Sequence, residues 1–241
     1  MSAAAEQVIW HDLECGHYRA DLPLWLELAA AAEGPVLDVG AGTGRVALEL
    51  ARAGHEVTAL DNDAELLAAL RKRAAGLPVR TVVGDARAFE LGHSYALIVA
   101  AMQVIQLLDG RDGRSRFLGC ARTHLRDGGL LACAVVEDIV PFESAEEAVL
   151  EPEVLRRRGR TFASHPVAVR RQGRQLVLER RRAVGAGRRE DRATVHRIAL
   201  DRVGASALEA EGAAHGLEPR PARVIAPTDD HVGSVVVMFG G

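Results

Sequence analysis

The sequence of 241 residues has few cysteines, few aromatic side chains and no apolar stretch long enough to cross a bilayer. Its three cysteines, Cys15, Cys120 and Cys133, lie far apart and lack the paired spacing of a zinc site, which favours reduced thiols and no bound metal. The first thirty residues lack a basic start followed by an apolar run, so we predict no secretory signal. Together these absences favour a cytoplasmic protein that does not contact membranes.

Lysine is also nearly absent, and Lys72 is the single example beside many arginines. We interpret this as a bias toward GC-rich codons, which weakens any functional argument from arginine alone. The arginines are unevenly distributed, because the range 156–197 holds fourteen of them and three acidic residues. Such an excess can mark an anionic partner. Few aromatic residues are available to stack on bases, so a solvated sheet face is the preferred interpretation and we do not expect nucleic acid.

The most informative segment is an apolar run, Val36–Val39, that opens into glycines at alternate positions from Gly40 to Gly44 and then into a helical pattern. The pattern predicts a strand, a tight turn and a helix start, since glycine lets the backbone adopt positive φ and approach a ligand. A dinucleotide fingerprint needs its third glycine where Arg45 stands. Here a carboxylate, Asp38, precedes the glycines, and such a group suits the ammonium of a zwitterionic ligand.

Two further acids end predicted strands. Asp61 ends the apolar run that begins at Val57, at about the 20-residue spacing expected of an acid that binds ribose. Asp85 follows the predicted strand that begins at Val79. Taken alone, Asp61 has a simpler interpretation as a helix cap and Asp85 as a turn residue. Because the carboxyl ends of successive parallel strands meet at one edge of a sheet, their joint occurrence favours a shared ligand site.

With these features in order, residues 18–138 resemble the class I S-adenosylmethionine-dependent methyltransferases, whose first motif has an acid followed by three alternating glycines. The matching features are the loop Asp38–Gly44, the acid Asp61, the triplet Gly84–Ala86 and the pair Gly128–Gly129 before the fifth strand. The resemblance implies an α/β fold of the Rossmann-like, doubly wound type, with a mostly parallel seven-stranded sheet and helices on both faces. It also implies S-adenosyl-L-methionine as the cofactor.

The same resemblance assigns the cofactor contacts. In small-molecule members of the family, a leading segment closes over the cofactor with an aromatic hydroxyl near its methionine end. Tyr18 matches that position, although a half-buried surface tyrosine is the competing interpretation. The expected cofactor-binding residues are Tyr18, Asp38, Gly40, Ala41, Gly42, Arg45, Asp61, Asn62, Gly84, Asp85, Ala86 and Ala101.

The chain divides into three predicted ranges, and its hydrophobic fraction of 48% is ample for a core. Residues 1–140 hold an N-terminal helical segment and the cofactor-binding core, and 204–241 hold the last helix and the final strands of the same sheet. Between them, 141–203 predicts an acidic helix and a small antiparallel β insertion, because three runs between 167 and 200 alternate with period two. In the family, an insertion here roofs the acceptor pocket.

Catalysis is the least defined part of the prediction. In-line methyl transfer depends mainly on positioning, and a general base helps when the acceptor must lose a proton. The candidate bases are His165, His231 and Glu137, although a histidine in a loop is more often simply solvated. The expected substrate-binding residues are Gln103, Gln106 and Trp25. For the neighbours of the two glutamines, Met102, Val104 and Ile105, we favour core packing.

Three functions follow from the resemblance. The main one is methyl transfer to a small-molecule acceptor at oxygen, nitrogen or carbon, by a protein that can be a homodimer. The segment after the fourth strand, Ala100–Gln103, lacks the Asn/Asp-Pro-Pro-Tyr pattern of DNA and amide nitrogen methyltransferases. The alternatives are an RNA methyltransferase that uses the arginine-rich insertion, and a protein that binds the cofactor without transferring its methyl group.

Overall fold

The computed structural model describes residues 2–143, 151–186, 189–229 and 231–241. Its elements in chain order are α1 Ala3–Cys15, α2 Leu22–Ala31, β1 Val36–Val39, α3 Arg45–Arg52, β2 Val57–Asp61, α4 Ala64–Arg73, β3 Val79–Val83, β4 Tyr95–Ala100, a 3-10 helix Val104–Leu107, α5 Gly110–His124, β5 Leu125–Val135, β6 Glu153–Arg157, β7 Arg160–Gln172, β8 Gln175–Ala186, β9 Arg189–Asp201, α6 Ala205–Ala213, β10 Glu218–Ile225 and β11 Ser234–Gly240. The predicted acidic helix falls partly on 144–150, which lie outside the described residues.

The chain forms two structural units. One, the core unit, comprises Tyr18–Asp138 and Val203–Gly241. The other, the insertion unit, comprises Met1–His17 and Ile139–Arg202, so the first helix groups with the insertion. That the insertion selects the acceptor stays a prediction.

The core unit contains a seven-stranded sheet in the order β10-β11-β5-β4-β1-β2-β3. Strands β1 to β5 are parallel to one another, and β11 runs antiparallel to β5 and to β10. The mostly parallel, doubly wound α/β fold predicted from the sequence is therefore confirmed. The strand order reverses between β1 and β4, and in open α/β sheets ligands bind at the carboxyl ends of the strands beside such a switch point.

Apolar strands covered on both faces account for this sheet. Every residue of β1 and β4 is buried, as expected of parallel strands with helices on each side. One face packs with Trp25, Leu50 and Leu67, and the other with Phe117 and Phe239. The sheet thus has an apolar cluster on each face, and these clusters fix the carboxyl edge of β1 and β4 on which the candidate site is built.

The insertion unit is a four-stranded antiparallel sheet in the order β6-β7-β8-β9. The three alternating runs of the sequence lie within β7, β8 and β9, which extend well beyond them. The structure adds β6 and helix α1. That helix packs on the sheet through Trp10, whose ring meets the Phe162 ring edge-on at a centroid distance of 5.3 Å.

A buried acid on α1 holds several polar groups of the same unit. The Glu14 carboxylate accepts hydrogen bonds from the Ser164 hydroxyl at 2.7 Å and from Nε and Nη2 of Arg182 at 2.8 and 2.6 Å. Arg180 lies 3.5 Å away and also bonds Glu153. Burial alone would raise the pKa of Glu14, but the hydrogen bonds from Arg182 and Ser164 outweigh it and lower the pKa below its usual value.

We expect Glu14→Ala to destabilise the insertion unit by about 3–5 kcal/mol, because it leaves buried guanidinium groups without their carboxylate. Glu6→Ala is the matched control on the same helix, since its partner Arg192 is half exposed. That control should cost no more than about 1 kcal/mol. Urea unfolding monitored by tryptophan fluorescence measures both values, and equal losses would contradict the structural role given to Glu14.

Candidate functional site

The loop after β1 folds over the end of β2. The backbone N–H groups of Gly40 and Ala41 both donate to the Leu60 carbonyl, at 2.8 and 3.1 Å. Gly40 and Gly42 have φ angles of 71° and 54°, in the left-handed region that favours glycine. Gly44 also has positive φ, and a side chain there would collide with Leu70 of α4. The alternating glycines therefore serve the turn and the packing of α3 on α4, as their spacing predicts.

Asp61 links this loop to the next one. Its Oδ2 accepts the Gly42 N–H at 2.7 Å, and its Oδ1 accepts the Asp63 N–H at 2.8 Å. An ionised carboxylate has about four acceptor positions, so two stay open for a diol such as ribose. The helix cap is Asp63, which accepts the N–H groups of Glu65 and Leu66 at the start of α4. The capping role considered for Asp61 from sequence belongs to Asp63.

The exposed Asn62 lies between these two acids. Strand β3 pairs in parallel with β2 and places Val83 opposite Asp61. The Gly84 N–H donates to the Asp61 carbonyl at 2.9 Å. The structure thus brings the predicted residues at the ends of β1, β2 and β3 to one edge of the sheet.

Asp38 is a fully buried acid beneath the loop. Its Oδ2 accepts the Ala47 N–H of α3 at 3.0 Å. Burial raises the pKa of Asp38 to about 7; Arg45 opposes this rise, and the carboxylates of Asp61 and Asp21 add to it. Asp38 therefore lies within electrostatic range of one guanidinium and two further carboxylates. This arrangement favours a ligand that brings positive charge.

Arg45, expected to bind the cofactor, is held by other protein groups. Its guanidinium donates two hydrogen bonds to Asp21, at 2.5 and 2.7 Å, and a third to the Tyr18 carbonyl at 3.1 Å. Trp25 donates to the same Asp21 at 2.8 Å and is fully buried. The expectation that Trp25 contacts substrate is corrected, because its ring lies in the core and its N–H is used by Asp21.

Tyr18 and His231 lie together at the same edge. Their rings are 4.7 Å apart between centroids and tilted by 32°, and the Arg45 guanidinium carbon is 5.3 Å from the Tyr18 centroid. The Tyr18 hydroxyl hydrogen-bonds Ser234, which begins β11 next to the carboxyl end of β5. Burial, followed by the Asp21 carboxylate, raises the pKa of Tyr18, so its phenol stays neutral at pH 7.

The other two base candidates have different surroundings. The Glu137 carboxylate accepts the Ala205 N–H at 2.6 Å, at the start of α6, whose own N-cap residue Gly204 offers no side chain. Glu137 therefore caps a helix, and its role as a base stays a prediction. His165 belongs to β7 of the insertion unit, where burial and then Arg181 lower its pKa.

The two glutamines predicted to contact substrate both lie in the segment after β4, but they have different surroundings. Both ends of the Gln106 amide bond the backbone of Val136, Nε2 to the carbonyl at 3.1 Å and Oε1 to the N–H at 2.8 Å. Gln106 is buried, so its predicted contact with substrate is corrected to a core role. Gln103 is half-buried beside the buried Ala101, and its side-chain amide has no hydrogen-bond partner among the residues that the structure describes.

Arg87 was not predicted from the sequence pattern, although it lies only two positions after Asp85. The Asp85 carboxylate accepts the Arg87 backbone N–H at 2.8 Å and its Nη2 at 2.8 Å, and Arg87 also pairs with Asp109. The side-chain hydrogen bond from Arg87 lowers the pKa of Asp85 to about 2. The Asp85 carboxylate is therefore ionised and committed largely to Arg87, next to Ala86.

Across the described ranges, no group of three or more histidine, cysteine, aspartate or glutamate side chains is arranged to hold a metal ion. Within the same ranges, no helix is both long enough and apolar enough to span a membrane.

The buried Asp38 predicts a specific dependence of stability on pH. The carboxyl ionises near its ordinary pKa of about 4 in the unfolded chain but at about 7 in the folded protein, so the unfolded state loses its proton first. The free energy of unfolding should fall as pH rises through that window. Asp38→Asn should remove this loss, and urea unfolding at pH 5 and pH 7.5 tests it. A variant with the same pH dependence as the parent would contradict the assignment.

Known proteins share both the sequence pattern and the fold. Residues 36–129 match a family described as a methyltransferase domain. An uncharacterized methyltransferase of Mycobacterium tuberculosis is 34% identical over 126 residues, which are 52% of this chain and 59% of the relative. Ribosomal RNA small subunit methyltransferase A of Deinococcus radiodurans is 40% identical over 80 residues, which are 33% of this chain and 26% of the relative. The chain thus spans less than two thirds of either relative.

A solved structure extends the likeness over the whole chain. The amino pentose methyltransferase CalS10 of Micromonospora echinaspora, solved with S-adenosylmethionine bound, superposes with a TM-score of 0.72 at 23% identity, covering 99% of this chain and 98% of that one. At this identity the likeness shows the fold. The matched domain and this fold agree with the motif at Asp38–Gly44. Residues 36–129 of this chain thus match a methyltransferase domain, and the chain as a whole has the fold of the S-adenosylmethionine-bound neighbour.

Proposed function

We propose that this protein transfers a methyl group from S-adenosyl-L-methionine to an amino group of a small polar molecule of the amino sugar class. The observation that carries the proposal is the carboxyl edge at the switch point, where the buried Asp38 lies within electrostatic range of Asp61, Asp21 and Arg45, and Arg45 is itself bonded to Asp21. Tyr18 and His231 lie at the same edge of the sheet.

The residues present fit the cofactor in charge and in shape. S-adenosylmethionine carries a sulfonium and an ammonium, and a site with more carboxylates than cations favours both. Asp61 keeps two acceptor positions for the ribose hydroxyls while its other two hold Gly42 and Asp63. Gly40 and Gly42, at positive φ, let the main chain approach the ligand closely.

In the proposed mechanism, the bound cofactor supplies an electrophilic methyl carbon, to which the acceptor nitrogen bonds as the carbon–sulfur bond breaks. The protein contributes mainly by holding donor and acceptor in line, an effect that can be worth roughly 7–11 kcal/mol. We assign the acceptor contact to the Gln103 amide. His231, stacked on Tyr18, takes the proton that the amine must release.

Two observations favour a small acceptor over RNA. The structural neighbour that aligns over almost the whole chain is described as an amino pentose methyltransferase, whereas this chain spans only 26% of the ribosomal RNA methyltransferase. In addition, seven arginines of the insertion unit are paired with carboxylates, in the pairs Arg160–Asp191, Arg170–Glu143, Arg180–Glu153, Arg181–Glu190, Arg182–Glu14, Arg192–Glu6 and Arg197–Glu179. A homodimer and a cytoplasmic location stay predictions.

The proposed activity predicts selective transfer to free amines. Purified protein with methyl-labelled S-adenosylmethionine should label amino sugars and leave their N-acetylated counterparts unlabelled, because an amide nitrogen is a poor nucleophile. Product mass spectrometry measures the result, with a single-stranded RNA as a parallel acceptor. Labelling of RNA or of hydroxyls alone would contradict the proposal, and cofactor binding without any transfer would favour the non-methylating alternative.

The role of His231 predicts that His231→Phe lowers kcat by about 100-fold, since phenylalanine keeps a ring against Tyr18 but accepts no proton. Affinity for S-adenosyl-L-homocysteine should stay within about twofold, because a base acts after binding. His165→Phe is the matched control and should keep full activity. If His165→Phe loses activity and His231→Phe keeps it, the general base is His165 and His231 has no such role.

A further inference from the structure

The segment that connects β4 to α5, Ala101–Asp109, is unusually strained, and we call it the connector. Among the described residues, three other than glycine have left-handed φ: Met102 at 53°, Asp109 at 58° and Arg158 at 50°. Two of the three are thus in the connector. Aspartate tolerates this conformation, whereas a long side chain such as that of methionine rarely adopts it.

The connector is fixed at three points, so the strain at Met102 cannot relax locally. A Cβ on Gly40 would lie 2.5 Å from Cγ2 of Val104, which shows that the 3-10 helix packs directly on the glycine loop. The Gln106 amide bonds the Val136 backbone at both ends. At the far end, Asp109 pairs with Arg87. Strain persists in a fold only where the surroundings over-determine the conformation in this way.

The strained residue also lies where the fold binds ligands. β4 and β1 are the neighbours at which the strand order reverses, and Met102 follows β4 by two residues. The glycine loop follows β1 on the other side of the same crevice. Strained residues cluster at binding and catalytic sites, where a fixed geometry is worth its cost in stability.

We propose that Met102 is a positioning residue for cofactor binding. Its left-handed backbone turns the chain so that Val104 closes against Gly40 and forms one wall of the crevice, with Gln103 next to it. The inference rests on the proposed function, because it takes the carboxyl edge of β1 and β4, where the glycine loop and the connector pack together, as the cofactor site. What matters at position 102 is the backbone angle, more than the size or hydrophobicity of the side chain.

A packing role for Met102 makes a different prediction. The side chain is half-buried against the core cluster that includes Trp25 and Leu28. If these contacts were its function, Met102→Leu would be the best substitute and Met102→Asn the worst. A role through the backbone reverses the expectation for asparagine, because asparagine adopts left-handed φ readily while β-branched valine does not.

Calorimetric titration with S-adenosyl-L-homocysteine distinguishes the packing role of Met102 from the backbone role. We expect Met102→Asn to bind within about twofold of the parent and Met102→Val to bind about tenfold more weakly, because valine resists positive φ. The thermal midpoint of Met102→Asn should equal or exceed that of the parent. Gly76→Val is the matched control: it forces valine to positive φ, in open space at the turn between α4 and β3, and should keep the parent affinity.

The proposal is overturned if Met102→Asn loses affinity while Met102→Leu keeps it, and this pair decides the matter even if Met102→Val fails to fold. It is also overturned if folded Met102→Val binds normally. A parent protein that binds S-adenosyl-L-homocysteine but methylates no amine contradicts the proposed function alone, and the ranking of the variants still tests Met102. A parent that binds no such nucleoside contradicts both.

Discussion

The carboxylate of Asp61 is the interaction on which the candidate site depends. One oxygen holds the Gly42 N–H and the other holds the Asp63 N–H, so a single side chain fixes both the glycine loop and the start of α4. Because it sits at the end of β2, the sheet determines its position. The same group that shapes the loop keeps open acceptor positions for a diol, which joins local structure directly to ligand binding.

Charge gives this edge its selectivity. Asp38 is fully buried, and Arg45, whose guanidinium is bonded to Asp21, only partly offsets the rise of its pKa. Burying an acid in this way costs stability, as the raised pKa of Asp38 records. The left-handed backbone at Met102 costs stability as well, on the opposite side of the crevice. Both features are consistent with a fold that trades stability for a fixed binding geometry.

The fold and the match to a methyltransferase domain could be predicted from sequence because their signals are local. Alternating glycines after Val36–Val39 and apolar runs of four to six residues depend only on neighbouring positions. Side-chain roles depend on partners far along the chain. Glu137 caps a helix that begins 68 residues later, and Gln106 bonds Val136 across 30 residues. No pattern in the sequence indicates such pairs. For this reason Glu137 was predicted to be a base and Gln106 was predicted to contact substrate.

The central claim is that an anionic crevice at the switch point binds a sulfonium nucleoside through an ionised Asp38. Calorimetry with S-adenosyl-L-methionine at pH 5.5 and pH 7.0 tests it most directly. A cation that favours the ionised acid should bind more tightly at the higher pH and release a proton on binding, and Asp38→Asn should abolish this difference. Binding that is independent of pH in the parent, or absent at millimolar ligand, would contradict the claim.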